Sequence, residues 1–387
     1  MTVSSSGLRI LHVVDDFSTH NTGVTASVRQ LSGWQVAHCD WVGVHTTGEV
    51  DLLAPKGVQV TSSTVHPLTP NWRYPVEGVA PLLKLINKHR VTHLHVHEFW
   101  RAGYVLGMRA SAKSGIPVVL SAHGLASPAA LANKGWRNLL KKQVYWNLFA
   151  RWYLPSCVGL HAITSLEALH LSSFMGRAAD AVIPNAIDLD DPLFRQTETV
   201  TSPRKEIVFL GRLHPIKGVD VLIEAFSRSN LDQDWELLLI GPEEVPVYAE
   251  RLKALAAASP RAAKIRFIGS CHGEAKRDFL SRAWVVVVPS HTEVVGMVNL
   301  EAASLFTPTI TTYATGLTTW LKSGGLLADP EPVSVMQALE TAAGWSLSER
   351  MQRGVSARRF VEREFSLETV GQAWLRFYVE LLKQDCT

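Results

Sequence analysis

The chain has 387 residues, a length that suggests two domains, with 47% apolar and 19% charged residues. That balance fits globular domains with sizeable cores and argues against disorder. Thirty-eight basic against 35 acidic residues leave a formal charge of only +3, which excludes the global positive field of a nucleic-acid binder.

From the N-terminus, LRILHVVD (8–15) reads as a buried parallel strand. Further strands are predicted at 36–44, 58–63, 93–99, 117–123, 160–165 and 181–185. Helical periodicity falls between several of them, at 24–32, 76–89, 101–114 and 136–153. Residues 186–204, rich in Asp, Pro, Thr and Ser, read as a linker. A second alternating series follows, with strands at 206–211, 235–241, 264–269, 284–290 and 308–313. Helices are predicted at 218–229, 246–257, 273–282, 296–305 and 332–344. An amphipathic helix capped by Ser366 closes the chain, with Val370, Trp374, Phe377, Val379 and Leu381 on its apolar side. Strand–helix alternation of this kind predicts an α/β fold of two Rossmann-like, doubly wound parallel sheets. Ligands in such sheets bind beyond the carboxyl ends of the strands, so two such domains facing across a cleft would hold a ligand between them.

Two segments of the second half carry the chemistry. In FLGRLHPIKGVDVLIEAF (209–226), a strand ends at Gly211, Arg212 and Lys217 follow in a loop, and Gly218 opens a helix. Two cations beside the unpaired N–H groups of a helix start suit a diphosphate. The same pattern also describes a loop with two solvated charges. In PSHTEVVGMVNLEAAS (289–304), Glu293 lies in the loop after a very apolar strand and Glu301 stands eight residues later in the next helix. Eight helical residues rise roughly 12 Å, an upper bound here because the first part is loop. That span suits a ligand with hydroxyl-bearing groups at both ends of a diphosphate. The N–H groups of Gly296, Met297 and Val298 would face the phosphates. Read alone, Glu293 favours a helix dipole and Glu301 is a surface residue; the two segments together favour a binding site.

These motifs resemble the retaining glycosyltransferases of family 4, which have the GT-B fold. The shared pattern is Gly211–Arg212, Lys217–Gly218, Gly241–Pro242, Pro289–Ser290, Glu293 and Glu301. In the first half, SAHGLASPAALANKGWRNLLKK (121–142), HAITSLEA (161–168) and VIPNAIDL (182–189) resemble the polysaccharide-assembly branch. The resemblance implies an acceptor-binding domain at 1–190 and a nucleotide-sugar-binding domain at 204–365. A helix over 366–387 would cross back to the first domain. Arg212 and Lys217 would neutralise the donor diphosphate, Glu293 would contact the transferred sugar, and Glu301 the ribose. His123 matches the histidine near the reacting sugar. The resemblance also implies retention at the anomeric carbon, with the leaving phosphate taking the acceptor proton. There are departures. The glycine-rich loop after the first strand is reduced to Asn21–Thr22–Gly23, the E-x-F-G becomes Glu293–Val294–Val295–Gly296, P-N-G becomes Pro184–Asn185–Ala186, and a glycine before Thr307–Pro308 is Phe306.

His93, His95 and His97 alternate on one strand and share a face. They suit packing or a pocket mouth better than a metal. His97 and Glu98, nearest the strand's carboxyl end, are the candidate acceptor contacts. The segment 134–153 mixes Lys134, Arg137 and Lys141 with Trp136, Leu140, Trp146, Phe149 and Trp152. It reads either as a core-packed helix with a basic side or as a face for an anionic membrane. No Walker A motif, nucleophile triad or pyridoxal-phosphate lysine is identified, and no metal or other cofactor is expected. The expected partners are a UDP- or GDP-linked sugar donor and a saccharide or lipid-linked acceptor. Neither a signal-peptide pattern nor an apolar run of about 18 residues is found. The expected location is therefore cytoplasmic, at the inner face of the membrane if the basic helix binds lipid. Cys39, Cys157, Cys271 and Cys386 show no metal spacing and read as free thiols. A sugar-nucleotide epimerase, or a degenerate member that only binds partners, remain the alternatives.

Overall fold

A computed structural model describes residues 7–18, 23–48, 50, 54–65, 74–132, 135–148, 150–156, 159–195 and 202–384. The chain divides into two compact units, one spanning Met1–Ala186 with Leu367–Thr387 and the other Ile187–Ser366.

In chain order, the first unit contains β1 (Arg9–Val14), α1 (Gly23–Gln35), β2 (Trp41–Thr46), β3 (Gln59–Ser62), α2 (Ala80–His89), β4 (His93–His97) and α3 (Ala102–Ser114). It continues with β5 (Val118–Ser121), α4 (Pro128–Ala132), α5 (Trp136–Leu148), β6 (Gly159–Ala162), α6 (Ser165–Met175) and β7 (Ala181–Val182). Its seven strands run in the order β3-β2-β1-β4-β5-β6-β7, and every pairing is parallel. The predicted strand at 36–44 begins too early. α1 runs on to Gln35 and residues 36–40 turn before β2, so the apolar run straddles a helix end.

The second unit contains β8 (Arg204–Leu210), α7 (Val219–Arg228), β9 (Glu236–Ile240), α8 (Pro246–Ala257), β10 (Ile265–Gly269), α9 (Gly273–Arg282) and β11 (Ala283–Val288). After these come α10 (Met297–Ser304), β12 (Thr309–Thr312), β13 (Leu326–Ala328), α11 (Pro332–Ala343) and α12 (Leu347–Glu364). Its parallel sheet runs β10-β9-β8-β11-β12-β13. In both sheets the first strand of the unit lies centrally, where the strand order reverses. A doubly wound sheet places its ligand at that point.

The last helix, α13 (Leu367–Gln384), belongs to the first unit. Val370, Trp374, Phe377, Tyr378 and Leu381 bury themselves against Leu8, Ile10, Leu31 and Val119. Side chains of this size each contribute about 1.5–3 kcal/mol when buried. Trp34 also donates from its indole to Glu368 at 2.9 Å. α13 thus covers one face of the first sheet and brings the Tyr378 hydroxyl to within 2.7 Å of His95.

Candidate active site

In the second unit the loops after β8 and β11 are locked together by backbone contacts. The N–H of His291 donates to the carbonyl of Ile216 at 2.9 Å. Gly218 has φ 64°, and a Cβ there would lie 2.2 Å from the carbonyl oxygen of Pro289. Only glycine permits both the left-handed backbone and that approach. The locked loops bring Lys217 and Glu293 together although 76 residues separate them. The Lys217 ammonium donates to the two carboxylate oxygens of Glu293 at 2.8 and 2.7 Å. Both side chains are partly exposed, at 17% and 18%, so the pair remains open to a ligand.

Glu293 is followed by Gly296 (φ 67°), which caps α10. A Cβ there would crowd the Glu293 side chain at 3.1 Å. The first N–H groups of α10, at Met297 and Val298, have no intrahelical acceptor and present a partial positive charge. Further along the helix, Glu301 accepts from the Lys276 ammonium at 2.6 Å. Its other oxygen, Oε2, is buried with no hydrogen-bond partner among the described residues. Arg212 lies just past the end of β8, with its guanidinium donating to Glu244 at 2.5 and 2.7 Å.

All the second-unit residues expected from sequence (Arg212, Lys217, Glu293, Gly296, Met297, Val298 and Glu301) therefore lie in the loops after β8 and β11 or on α10. Sequence reasoning missed Lys276 and Glu244, which hold Glu301 and Arg212. Glu244 stands two residues after the Gly241–Pro242 motif, a position that could have flagged it. Lys276, on α9, gave no signal. The departure at Phe306 also has a physical reading. Phe306 has φ 59°, a region where glycine is at ease and phenylalanine is strained. Its ring is buried, and its carbonyl accepts from the buried Arg350 at 3.2 Å.

In the first unit the carboxyl ends of β4 and β5 are marked by two non-glycine residues in the left-handed region, Glu98 (φ 67°) and His123 (φ 52°). The loop carrying His123 is pinned by Glu167. Thr164 caps α6 by accepting the Glu167 N–H at 3.2 Å. The Glu167 carboxylate in turn accepts from the N–H of Ile163 at 2.6 Å and from the N–H of Gly124. Burial raises the pKa of Glu167, and those two hydrogen bonds oppose the rise. His123 is half-buried, and burial lowers its pKa to about 4.

His97 lies deeper than its place near a strand end suggests. It is buried at 4% exposure, and its two ring nitrogens are engaged by His12 at 3.0 Å and His123 at 2.9 Å. It borders a small cavity together with His95, His123 and His161. Glu98 remains half-buried at the end of β4. Gly23 is the first residue of α1, and Asn21 and Thr22 lie outside the described residues.

The segment 134–153 is corrected in part. Trp146 is in the core, beside Phe99 and Phe174, whereas Trp136 (70% exposed), Leu140, Val144, Leu148 and Trp152 (72%) face outward. Lys134 and the side chain of Phe149 lie outside the described residues. Among the described residues, no helix is long and apolar enough to cross a membrane.

Comparison with known proteins identifies the family and the fold. The family model described as Glycosyltransferase Family 4 matches residues 21–191, and the one described as Glycosyl transferases group 1 matches residues 190–353. A D-inositol 3-phosphate glycosyltransferase of Acidothermus cellulolyticus is 28% identical over 260 residues. The match covers 61% of this chain and 56% of that relative, so the chain spans little more than half its length. Among solved structures, Anabaena HepE in complex with UDP and glucose superposes with a TM-score of 0.74 at 17% identity, covering 96% of this chain and all of that one. WaaG, a glycosyltransferase involved in lipopolysaccharide biosynthesis, gives 0.67 at 16% identity, covering 95% of this chain and 99% of that one.

Proposed function

Because the chain belongs to the family 4 glycosyltransferases and has their GT-B fold, we propose that it transfers a hexosyl unit from a nucleoside diphosphate sugar to a saccharide or lipid-linked saccharide acceptor, with retention at the anomeric carbon. The observation that carries this reading is the Lys217–Glu293 pair, seated between the ends of β8 and β11 beside the start of α10. A donor diphosphate would take over Lys217 and Arg212 from their carboxylate partners. The freed Glu293 would accept hydrogen bonds from the transferred sugar. Glu301, with one oxygen on Lys276 and the other unpartnered among the described residues, suits two ribose hydroxyls.

The transition state for breaking a glycosidic bond resembles an oxocarbenium ion. The rate then depends on stabilising the departing diphosphate, which fixed cations and helix N–H groups do without reorganising. Arg212, Lys217, Met297 and Val298 fill those roles, and His123 orients a sugar hydroxyl. A UDP-linked donor has the first claim, since Anabaena HepE is solved with UDP and glucose. The names of the curated relatives favour a second acceptor class, a cyclic polyol phosphate.

The exposed stripe of α5 supports a further reading, contact with an anionic membrane. Trp136, Leu140, Val144 and Leu148 recur every four residues, with Arg137 and Lys141 beside them. Exposed aromatic and basic side chains so arranged suit the headgroup boundary. A lipid-linked acceptor and a site at the inner face of the cytoplasmic membrane fit this contact.

Thermal unfolding with UDP, GDP and ADP tests the donor site, because a ligand that binds only the native state raises the melting temperature. One nucleotide should stabilise the wild type and not Lys217→Ala. Turnover assays with and without saccharide or polyol phosphate acceptors then separate transfer from epimerisation. Normal turnover by Lys217→Ala would sink the assignment.

A further inference from the structure

We infer that a buried chain of imidazoles in the first unit fixes His123 as a neutral hydrogen-bond acceptor, with the proton on Nε2 and the Nδ1 lone pair left for a substrate hydroxyl. The part concerning substrate rests on the reading of His123 given above; the part concerning the proton does not.

The proton positions follow from the ends of the chain. Gln35 places its amide oxygen 2.7 Å from His12 Nε2, with its amide nitrogen toward the Tyr378 hydroxyl at 3.5 Å. An amide oxygen only accepts, so His12 Nε2 carries the proton. In a neutral ring the other nitrogen then accepts. His12 Nδ1 lies 3.0 Å from His97 Nε2, which must donate. His97 Nδ1 is left to accept, and His123 Nε2 stands 2.9 Å from it. His123 Nε2 is therefore protonated, and among the described residues nothing pairs with His123 Nδ1.

A second branch closes with the same logic. His161 Nε2 lies 2.8 Å from the carbonyl of Ile183 and must donate. Its Nδ1 accepts the Ser121 hydroxyl at 2.8 Å, and Ser121 accepts from His95 Nε2 at 2.7 Å. His95 Nδ1 then accepts from the Tyr378 hydroxyl. Both branches close with every ring neutral. Burial independently favours this state, lowering His12 to about 4 and His161 to about 3, with His95 and His97 pushed well below the usual histidine range.

Among the described residues, the titratable groups that act on His95 and His97 are the other histidines of the chain. The groups facing the chain are Gln35 from α1, Tyr378 from α13, Ser121 from β5 and His161 from β6. Glu167 of α6 spends its carboxylate on the N–H groups of Ile163 and Gly124. One nitrogen each of His12, His95 and His97 lie within 4.8 Å of one another, close enough for a metal. The nitrogens of these rings are already paired at hydrogen-bonding distance, so a metal would have to break the chain. The adjoining cavity is only about 30 Å³, room for a water and not for a ligand. His12, His97 and Gln35 are therefore positioning residues that act through His123.

The test is nitrogen NMR on histidine-labelled full-length protein at neutral pH, with no substrate present. The expected spectrum shows His123 with protonated Nε2 and bare Nδ1. A charged ring, an Nδ1–H tautomer or a stoichiometric metal in the purified protein would overturn the inference. Gln35→Glu adds a kinetic reading. A carboxylate at the end of the chain should draw a proton onto it, moving the acid limb of the kcat/KM profile up by about one pH unit or more. Activity at higher pH should be retained. A folded Gln35→Glu protein with the wild-type profile also counts against the inference. Absence of glycosyl transfer in every assay leaves the spectrum unchanged, so the two readings fail separately.

Discussion

Mild acid should unfold the first unit before the second. His12, His45 and His93 have pKa values lowered from 6.5 to about 4, and His161 to about 3, each chiefly by burial. All four side chains are buried. Between pH 6.5 and about 4 the unfolded chain binds protons that the native unit refuses, so stability falls as pH falls through that window. Moving from pH 7 to pH 5 costs roughly 2 kcal/mol for each such histidine, and about 8 kcal/mol for the four. His95 and His97 add to the loss in the same direction. A domain has only about 5–15 kcal/mol in hand. In the second unit no described histidine is buried, so this source of acid lability is confined to the first. Amide hydrogen exchange, compared between the units at pH 7 and pH 5, reads the difference. Equal protection of β1, β4 and β5 at both pH values would refute the reasoning.

Three further outcomes follow from the site geometry. Gly218→Ala places a Cβ 2.2 Å from the Pro289 carbonyl; the loops must part, so nucleotide-dependent stabilisation should vanish and unit stability fall by about 1–3 kcal/mol, as read by thermal unfolding with and without UDP. Glu244→Ala releases Arg212 from an exposed ion pair; if Arg212 serves the diphosphate, UDP binding measured by calorimetry should tighten about two- to five-fold, whereas weaker binding would argue that Glu244 itself belongs to the site. Trp136→Ala with Trp152→Ala should lose sedimentation with vesicles rich in anionic lipid while leaving thermal stability unchanged, because both rings are exposed; undiminished sedimentation would rule out α5 as the membrane face.

Most of the fold was legible because apolar runs and helical periodicity report burial directly. The second unit was read almost strand for strand, from β8 to β12. The misses have specific causes. α12 escaped notice because the residues it buries include Arg350, Gly354 and Ala357, which make no apolar stripe. Arg350 is fully buried and donates to the carbonyls of Trp284, Phe306 and Ala283, so a charge does the work of a core side chain there. Burial lowers its pKa to about 10. β13 has only three residues, too few for a pattern. Trp146 was placed outward because helical spacing gives a face and not its direction. Four other apolar residues of that helix, at 136, 140, 144 and 148, are exposed.

The candidate site was legible to the extent that it is local. Arg212, Lys217, Glu293 and Glu301 sit at strand ends and on the following helix, where spacing along the chain sets spacing in space. The histidine chain is the opposite case. His93, His95 and His97 showed a shared face, but their hydrogen-bond partners come from β1, β5, the loop after β5 and α13, as far as 285 residues away. No window of sequence contains that network. One consequence separates the two kinds of residue. At the candidate site of the second unit Arg212, Lys217 and Lys276 each meet a carboxylate on partly exposed side chains, and a ligand can exchange those partners at modest cost. In the first unit the polar groups are buried and mutually satisfied, so removing one strands the next without a partner. Substitutions of Lys217 or Arg212 themselves should therefore change binding before stability, and substitutions at His12 or His97 should change both together.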